Sequence, residues 1–396
     1  MSEHYVSFTT GEQSVQGTRR FRKFNRTAIA LTILPAIALA SLVGVFTYIY
    51  ATRTSAGPVE KFQGVQLWSD GFMAQSFNEF RLKYNRAYLD TEEEGKRFEI
   101  FKKNMAYITA HNNANSDFKL AVNQFADMTP AEYRKKFTGF KPLPGRLGTN
   151  PNHKLDKVNV SDLPTSINWI DKGCVTGVKD QGQCGSCWAF SATGALEGVH
   201  CRNTGKLVSL SEQQLVDCSG PEGNLGCSGG LMDAAFEYVD KHGLCSEKDY
   251  PYKGINDDCH ASECTPVIKG FKGFYDVPTE SESALMGAVA SHGPVAVAIE
   301  ADEMAFQFYS SGVFTSRCGT NLDHGVLVVG YGTEKGLNFW LVKNSWGASW
   351  GDKGYIKMVR NSSKASVGSG GECGILMQPS YPTEEGEEPP EEAKEI

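Results

Sequence analysis

No cysteine precedes Cys174 in this 396-residue chain, although eleven lie from that point onward. Excess basic charge is missing from the same region. Residues 163–382 carry 16 basic against 24 acidic side chains, a net of −8, which argues against nucleic acid as a partner. Charge of either sign is absent from residues 27–51, a run of 25. That length spans a bilayer, and Pro35 is tolerable inside such a helix. A cleaved secretory signal is the alternative, but its apolar core is shorter and begins nearer the N-terminus. The run follows a polar stretch ending in Arg19, Arg20, Arg22, Lys23 and Arg26. The positive-inside rule then makes residues 1–26 a cytosolic tail and 27–51 a transmembrane signal anchor. Everything after residue 52 lies in a lumen or outside the cell.

What is present divides into parts. The length suits two domains with appendages. Residues 54–162 hold 16 basic and 13 acidic side chains, a net of +3. That is opposite in sign to residues 163–382, so the two pieces attract. Two helices are expected in this segment. Phe77, Phe80 and Tyr84 share one helical face, and Phe98, Phe101, Met105 and Ile108 share another. Glu93 and Arg97 stand at i,i+4. A strand over 118–125 follows, and Pro142, Pro144, Gly145, Gly148 and Pro151 mark 138–162 as a linker open to proteolysis. The folded part is therefore 68–137. From residue 163 the chain turns Trp-, Cys- and Gly-rich. Helices are expected over 187–197, 209–216 (capped by Ser209 or Ser211) and 231–241. Strands are expected over 294–299, 325–329, 338–343 and 354–359. A helical half followed by a sheet half implies two lobes with a cleft between them. Residues 383–396, with seven Glu and one Lys, read as a disordered acidic tail.

The chemistry centres on Gln181-Gly182-Gln183-Cys184-Gly185-Ser186-Cys187-Trp188, a Gly-rich turn leading into a helix. Unsatisfied N–H groups and the helix dipole at that start favour a thiolate on Cys187. A structural disulfide, or a redox pair with Cys184, would use the same residues. The odd cysteine total leaves one thiol unpaired, and the Gly/Ser-rich setting of the others suits an oxidising compartment. A nucleophilic cysteine needs a base to take its proton and return it to the leaving amine. His324 in Asp323-His324-Gly325 is the candidate, although a histidine at a strand end is commonly structural. Asn344 in Asn344-Ser345-Trp346-Gly347 is placed to orient the imidazole, and Trp346 or Trp350 to shield that bond from water. Gln181 and the Cys187 backbone N–H are the oxyanion donors.

Together these three blocks resemble the papain family of cysteine proteases, in its cathepsin L-like branch, over roughly residues 77–382. The upstream segment is similar too. Glu93, Arg97, Phe101, Asn104, Ile108 and Asn112 match the interspersed pattern of cathepsin L-type propeptides, and Asn123, Phe125 and Asp127 match a second motif. Ala121 replaces a usual Gly there and Phe80 a usual Trp. The resemblance implies an α+β, papain-like two-lobe fold, a helical lobe plus a β-barrel-like lobe with the active site in the cleft. A helical inhibitory prodomain, threading the cleft in reverse, and a single N-terminal transmembrane helix precede it. The mature enzyme begins near Leu163, and acid loosens the prodomain. The expected activity is endopeptidase, since Cys227-Ser228-Gly229-Gly230 runs on without the long insertion of cathepsin B-type exopeptidases.

By the same resemblance, Cys187, His324, Asn344 and Gln181 are catalytic. Gly229 and Gly230 hold the substrate backbone. Leu231, Met232, Ala298, Leu322 and Gly325 map onto the apolar pocket for the second residue before the cut, and Trp346 also binds substrate. Gln378 floors the pocket for the second residue before the cut, where Leu or Phe is preferred. The implied disulfides are Cys184–Cys227, Cys218–Cys259 and Cys318–Cys373; Cys245–Cys264 resembles an extra bridge of some protozoan relatives, and these four leave Cys174 to pair with Cys201. Asn159 and Asn361 open lumenal glycosylation sequons, whereas Asn25 lies on the cytosolic side. No metal or organic cofactor is required. Partners are peptide and protein substrates, the chain's own propeptide and the membrane; the protein is a monomer. A membrane-anchored proform is typical of protozoan parasite relatives, and an acidic lysosome-like or vacuolar compartment suits it. A thiol–disulfide oxidoreductase would leave His324, Asn344 and the prodomain without a purpose. Inactive papain-fold binding proteins commonly lose the nucleophile or base, and all four catalytic positions are intact here. An exopeptidase or peptide ligase stays open within the family.

Overall fold

The structure, a computed structural model, describes residues 60–62, 65–67, 69–114, 117–142, 158–316, 318–360 and 368–384. The candidate anchor, cytosolic tail, most of the linker, Asn361 and the acidic tail beyond Glu384 lie outside these residues. Among the described residues no helix is long and apolar enough to cross a membrane.

A hairpin opens the described chain, β1 (Glu60–Phe62) against β2 (Val65–Leu67). It lies ahead of residue 68, where the sequence pattern begins the folded part. Helices α1 (Asp70–Lys83) and α2 (Thr91–Ala114) come next, pressed together through Phe77, Phe80, Phe98 and Phe101. The strand expected over 118–125 is only β3 (Phe118–Leu120). Beyond it, polar side chains take over the backbone groups that a ladder would have used. Asn112 bonds Leu120 in both directions, and Asn104 Nδ2 donates to the Ala126 and Met128 carbonyls. Helix α3 (Pro130–Phe137) starts on a Thr129–Glu132 capping box with Pro130 in its first turn. Arg97 joins α2 to it, bonding Glu93, both Glu132 carboxylate oxygens and the Asp127 carbonyl.

The remainder forms two lobes. Strand β4 (Ile167–Asn168) leads to α4 (Cys187–Thr204), α5 (Glu212–Cys218) and α6 (Met232–His242). Helix α4 continues well past residue 197, ending where Gly205 takes the left-handed conformation that closes helices. Small residues make this possible: a Cβ at Gly194 would meet Leu327, and one at Gly198 would meet Pro294. Helix α5 is capped by Ser211, not Ser209, and begins after it. Then come β5 (Phe271–Asp276), α7 (Glu282–Ser291), β6 (Val295–Ile299), α8 (Met304–Gln307) and β7 (Tyr309–Phe314). They are followed by β8 (His324–Glu334), β9 (Leu337–Lys343), β10 (Tyr355–Val359) and β11 (Ser380–Glu384). Helix α7, capped by Ser281, interrupts the stretch read as wholly β. Strand β11 runs past residue 382, pairing Glu384 with Phe271 where the tail was expected to begin.

The long sheet has the order β3-β7-β10-β9-β8-β6-β11-β5, with β4 on β8. Its first strand comes from the upstream segment, and one apolar cluster runs from Phe77 and Phe101 through Phe125 and Tyr133 to Trp346 and Trp350. Charge is not what chiefly joins the pieces. The Arg134–Asp302 pair across the contact has side chains 66 % and 24 % exposed, worth about 0–1 kcal/mol. Phe125 and Tyr133 each meet Trp346 edge-on at 5.5 and 5.4 Å, and such ring pairs add about 0.5–1.5 kcal/mol each beyond area burial. Aromatic packing therefore outweighs the opposite net charges.

Replacing Glu132 by Gln weakens both the cap and the Arg97 pair, an expected loss of about 1–2 kcal/mol in urea unfolding of the full chain. Although burial raises the Glu132 carboxyl, its bonds to Arg97 and Thr129 outweigh this and hold it at about 2. A depressed carboxyl stabilises the fold above its unfolded value and loses that contribution as pH falls through its folded one. The deficit should persist at about pH 4.5 and disappear below about pH 2.

Candidate active site

Cys187 is the first residue of α4, wholly buried, and the one free cysteine among the described residues. The other ten form Cys174–Cys201, Cys184–Cys227, Cys218–Cys259, Cys245–Cys264 and Cys318–Cys373. Cys184–Cys227 ties the turn before Cys187 to the strip holding Gly229 and Gly230, and the Gly185 N–H donates to the Cys227 carbonyl at 3.0 Å. A redox role for Cys184 with Cys187 is thereby removed.

His324 opens β8, opposite Ile299 of β6, and Asn344 directly follows β9. Their side chains meet at 2.8 Å, His324 Nε2 to Asn344 Oδ1. Because the amide oxygen accepts, Nε2 carries the proton and Nδ1 keeps its lone pair. The indole of Trp346 stacks on the imidazole at 4.5 Å, shielding that bond. Gly325 donates its N–H towards the Cys187 sulfur at 3.4 Å, so adjacent β8 residues reach both the thiol and Asn344. Gln181 is fixed at both ends of its amide. Ser345 Oγ donates to its Oε1 at 2.6 Å, and its Nε2 donates to the Cys184 carbonyl at 3.0 Å.

The cleft is filled by the chain itself. Gln181 Nε2 and Trp346 Nε1 both donate to the Phe137 carbonyl, at 3.3 and 3.2 Å. The N–H groups of Gly139 and Phe140 donate to the Asp323 carbonyl, and Gly139 and Gly230 pair through Gly230 N–H. Phe140 bridges Gly230 in parallel sense. Residues 138–141, read as the start of a loose linker, are thus seated in the cleft. A Cβ at Gly139 would run into the Gly185 carbonyl, so only glycine passes here. Phe140 joins a buried apolar cluster with Leu231, Met232 and Ala298, against which Leu322 packs. Gly325 lies close to Met232 and Trp188. Gln378 is buried and its Oε1 has no partner among the described residues. Asn159, an exposed sequon residue, caps a short 3-10 turn.

Sequence reasoning passes over three supports. Asp323 offers its carbonyl to the N–H groups of Gly139 and Phe140, Ser345 orients Gln181, and Asn224 Oδ1 receives the Leu231 N–H at 2.8 Å, setting the Gly230 edge. Only adjacency to the motif residues signals the first two.

Burial reverses the charge state expected of Cys187. It pushes the Cys187 thiol up to about 12, the N–H groups of Gly325, Trp188 and Gly139 opposing it. It also lowers His324 to about 4, with Asn344 opposing. The helix start does not overcome desolvation while the cleft is filled. Both groups are neutral near pH 7.

Comparison with known proteins accords with this geometry. Residues 163–383 match the family described as papain family cysteine protease, and residues 77–133 match the cathepsin propeptide inhibitor domain. A senescence-specific cysteine protease of rice (Oryza sativa) is 46% identical over 322 residues, 80% of this chain and 92% of its own. Cathepsin L1 of Drosophila melanogaster is 48% identical over 328 residues, 78% of this chain and 84% of its own. Among solved structures, a ragweed pollen cysteine protease in its proform is 42% identical, with a TM-score of 0.73. It covers 81% of this chain and 97% of its own.

With the thiol neutral and covered, iodoacetamide should modify Cys187 in the unprocessed chain at pH 7 at least about 100-fold more slowly than after processing. Mass spectrometry of the alkylated peptide measures this.

Proposed function

This chain belongs to the papain family of cysteine proteases, in its cathepsin L-like branch, and on that premise we propose how its cleft works. It is a cysteine endopeptidase carrying its own inhibitory propeptide, a zymogen. Cys187 attacks the scissile carbonyl as His324 Nδ1 takes the thiol proton; His324 then returns that proton to the leaving amine. Water hydrolyses the acyl-enzyme, with His324 again the base. Asn344 holds the imidazole through Nε2, and Trp346 keeps water from that bond. Gln181 Nε2 and the Cys187 N–H receive the oxyanion.

One observation carries this reading: a peptide already lies across the cleft, its Phe137 carbonyl on Gln181 Nε2. Taking the Gly230 edge as the seat of residues before the cut, the prosegment crosses the site in the order opposite to a substrate. Its peptide bonds are presented the wrong way round and survive. Phe140 among Leu231, Met232 and Ala298 supports a preference for Phe or Leu at the second position before the cut, with Gln378 at the pocket floor.

The uncharged run over residues 27–51 supports a type II membrane anchor, and five disulfides support a lumenal or extracellular catalytic domain. An acidic lysosome-like or vacuolar compartment, a monomeric state and glycans at Asn159 and Asn361 complete the proposal. Acid release of the prodomain is expected, and Glu132 does not drive it, because its carboxyl, held at about 2, keeps its charge at pH 4–5. Burial chiefly, with Asp302 and Glu300, raises Asp323 to about 7.

Shifting the full chain from neutral to about pH 4–5, beside a Cys187→Ala control, should yield a form starting near Leu163. Cleavage of a Leu-Arg or Phe-Arg fluorogenic peptide should appear only with Cys187 present. Removal of the prodomain without cleavage would make the chain an inactive binding protein. Gly139→Ala should raise the activity of the unprocessed chain at neutral pH at least about tenfold, because the prosegment must lift from Gly185.

A further inference from the structure

The cleft carries a charged feature that the proposed reaction leaves unused. Just after β6, the carboxylates of Glu300, Asp302 and Glu303 lie within 4.8 Å of one another. Asp323 stands in the field of the first two. Glu300 is turned inward, accepting the Asn321 N–H at 2.6 Å, whereas Asp302 remains partly exposed. A guanidinium is already docked there: Arg134 Nη1 meets Asp302 Oδ2 at 3.2 Å, and neighbouring Tyr133 donates its hydroxyl to the Ala301 carbonyl at 2.9 Å. Arg134 belongs to the prosegment and leaves with it, uncovering an acidic group that no substrate-independent cation replaces among the described residues.

The path of the prosegment gives the position of this group. Its chain passes from Asp302, through Phe137 at Gln181 and Trp346, to Phe140 at Gly230. The Asp302 end is therefore the side of the residues after the cut, an assignment that rests on the proposed placing of residues before the cut at Gly230. Arg134 stands three residues before Phe137, about 5 Å along a helix, and an extended substrate covers that distance in one to two residues. We propose that Asp302, with Glu303 beside it, selects a basic side chain at the first or second position after the scissile bond. The requirement is a cation on a flexible stem, as Arg134 supplies.

The test uses enzyme activated from the full chain and internally quenched peptides identical up to the cut. Arg, Gln or Glu is placed at the first or second position after it. At one of these, kcat/KM should run Arg above Gln above Glu, with about tenfold between the extremes, carried mainly by KM. The ratio should shrink towards unity in about 1 M salt, and fall below about threefold in Asp302→Asn combined with Glu303→Gln. Equal rates for Arg and Glu in the unaltered enzyme overturn the proposal, whether or not the variant folds. So does an Arg preference that survives the double substitution. A Leu-Arg aminocoumarin substrate, with no residue after the cut, separates the two readings. If it is cut while the peptides show no charge preference, only the Asp302 proposal fails. If nothing is cut, the cleft assignment itself fails.

Discussion

Trp346 is the residue on which enzyme and inhibitor both depend. Its ring lies on the His324 imidazole and meets Phe306 and Trp350 from the sheet lobe. The same ring receives Phe125 and Tyr133 from the prosegment, and its Nε1 holds the Phe137 carbonyl. A side chain that keeps water from the His324–Asn344 bond is thus also the anchor of the segment that closes the cleft. The prodomain adds its own aromatic residues to a core that already exists. That accounts for its seating without much charge across the contact.

Filling the cleft does more than exclude substrate. Desolvation leaves the thiol and imidazole neutral, so the proposed nucleophile is switched off chemically as well as sterically. When the prosegment departs, water returns and the same helix start that is overruled in the closed form favours the thiolate again. Gly139 contributes to both effects. It brings the backbone close enough to cover Cys187, and its N–H goes to the Asp323 carbonyl.

The residues proposed to carry the chemistry could be singled out because each sits in a short motif whose neighbours are fixed covalently. Gln181 to Trp188, Asp323 to Gly325 and Asn344 to Gly347 need no tertiary knowledge to be singled out. The helices bearing Phe77, Phe98 and Phe101 showed by spacing. Helix α7 did not, since Ala284–Val289 is an apolar run that a buried helix and a buried strand share. Helix α4 was read as ending at Glu197, just before Gly198, which looks like a breaker until Pro294 is seen against it. The seating of Gly139 and Phe140 depends on Gly185 and Gly230, distant in the chain, so proline and glycine content alone suggested a linker. Nor can desolvation of Cys187 and His324 be read without the segment that buries them.

Strand β3 pairs with β7 through Phe118, Lys119 and Leu120, and Gly312 lets the Asp117 backbone approach closely. Maturation therefore also reshapes the sheet. When the prosegment goes, β7 becomes a rim strand whose amide and carbonyl groups along Tyr309–Phe314 face water instead of a neighbour. An enzyme freed of its inhibitor is also a protein with a new adhesive border. Its solubility after activation must then rest on water and side chains along that border, a burden the zymogen never bears.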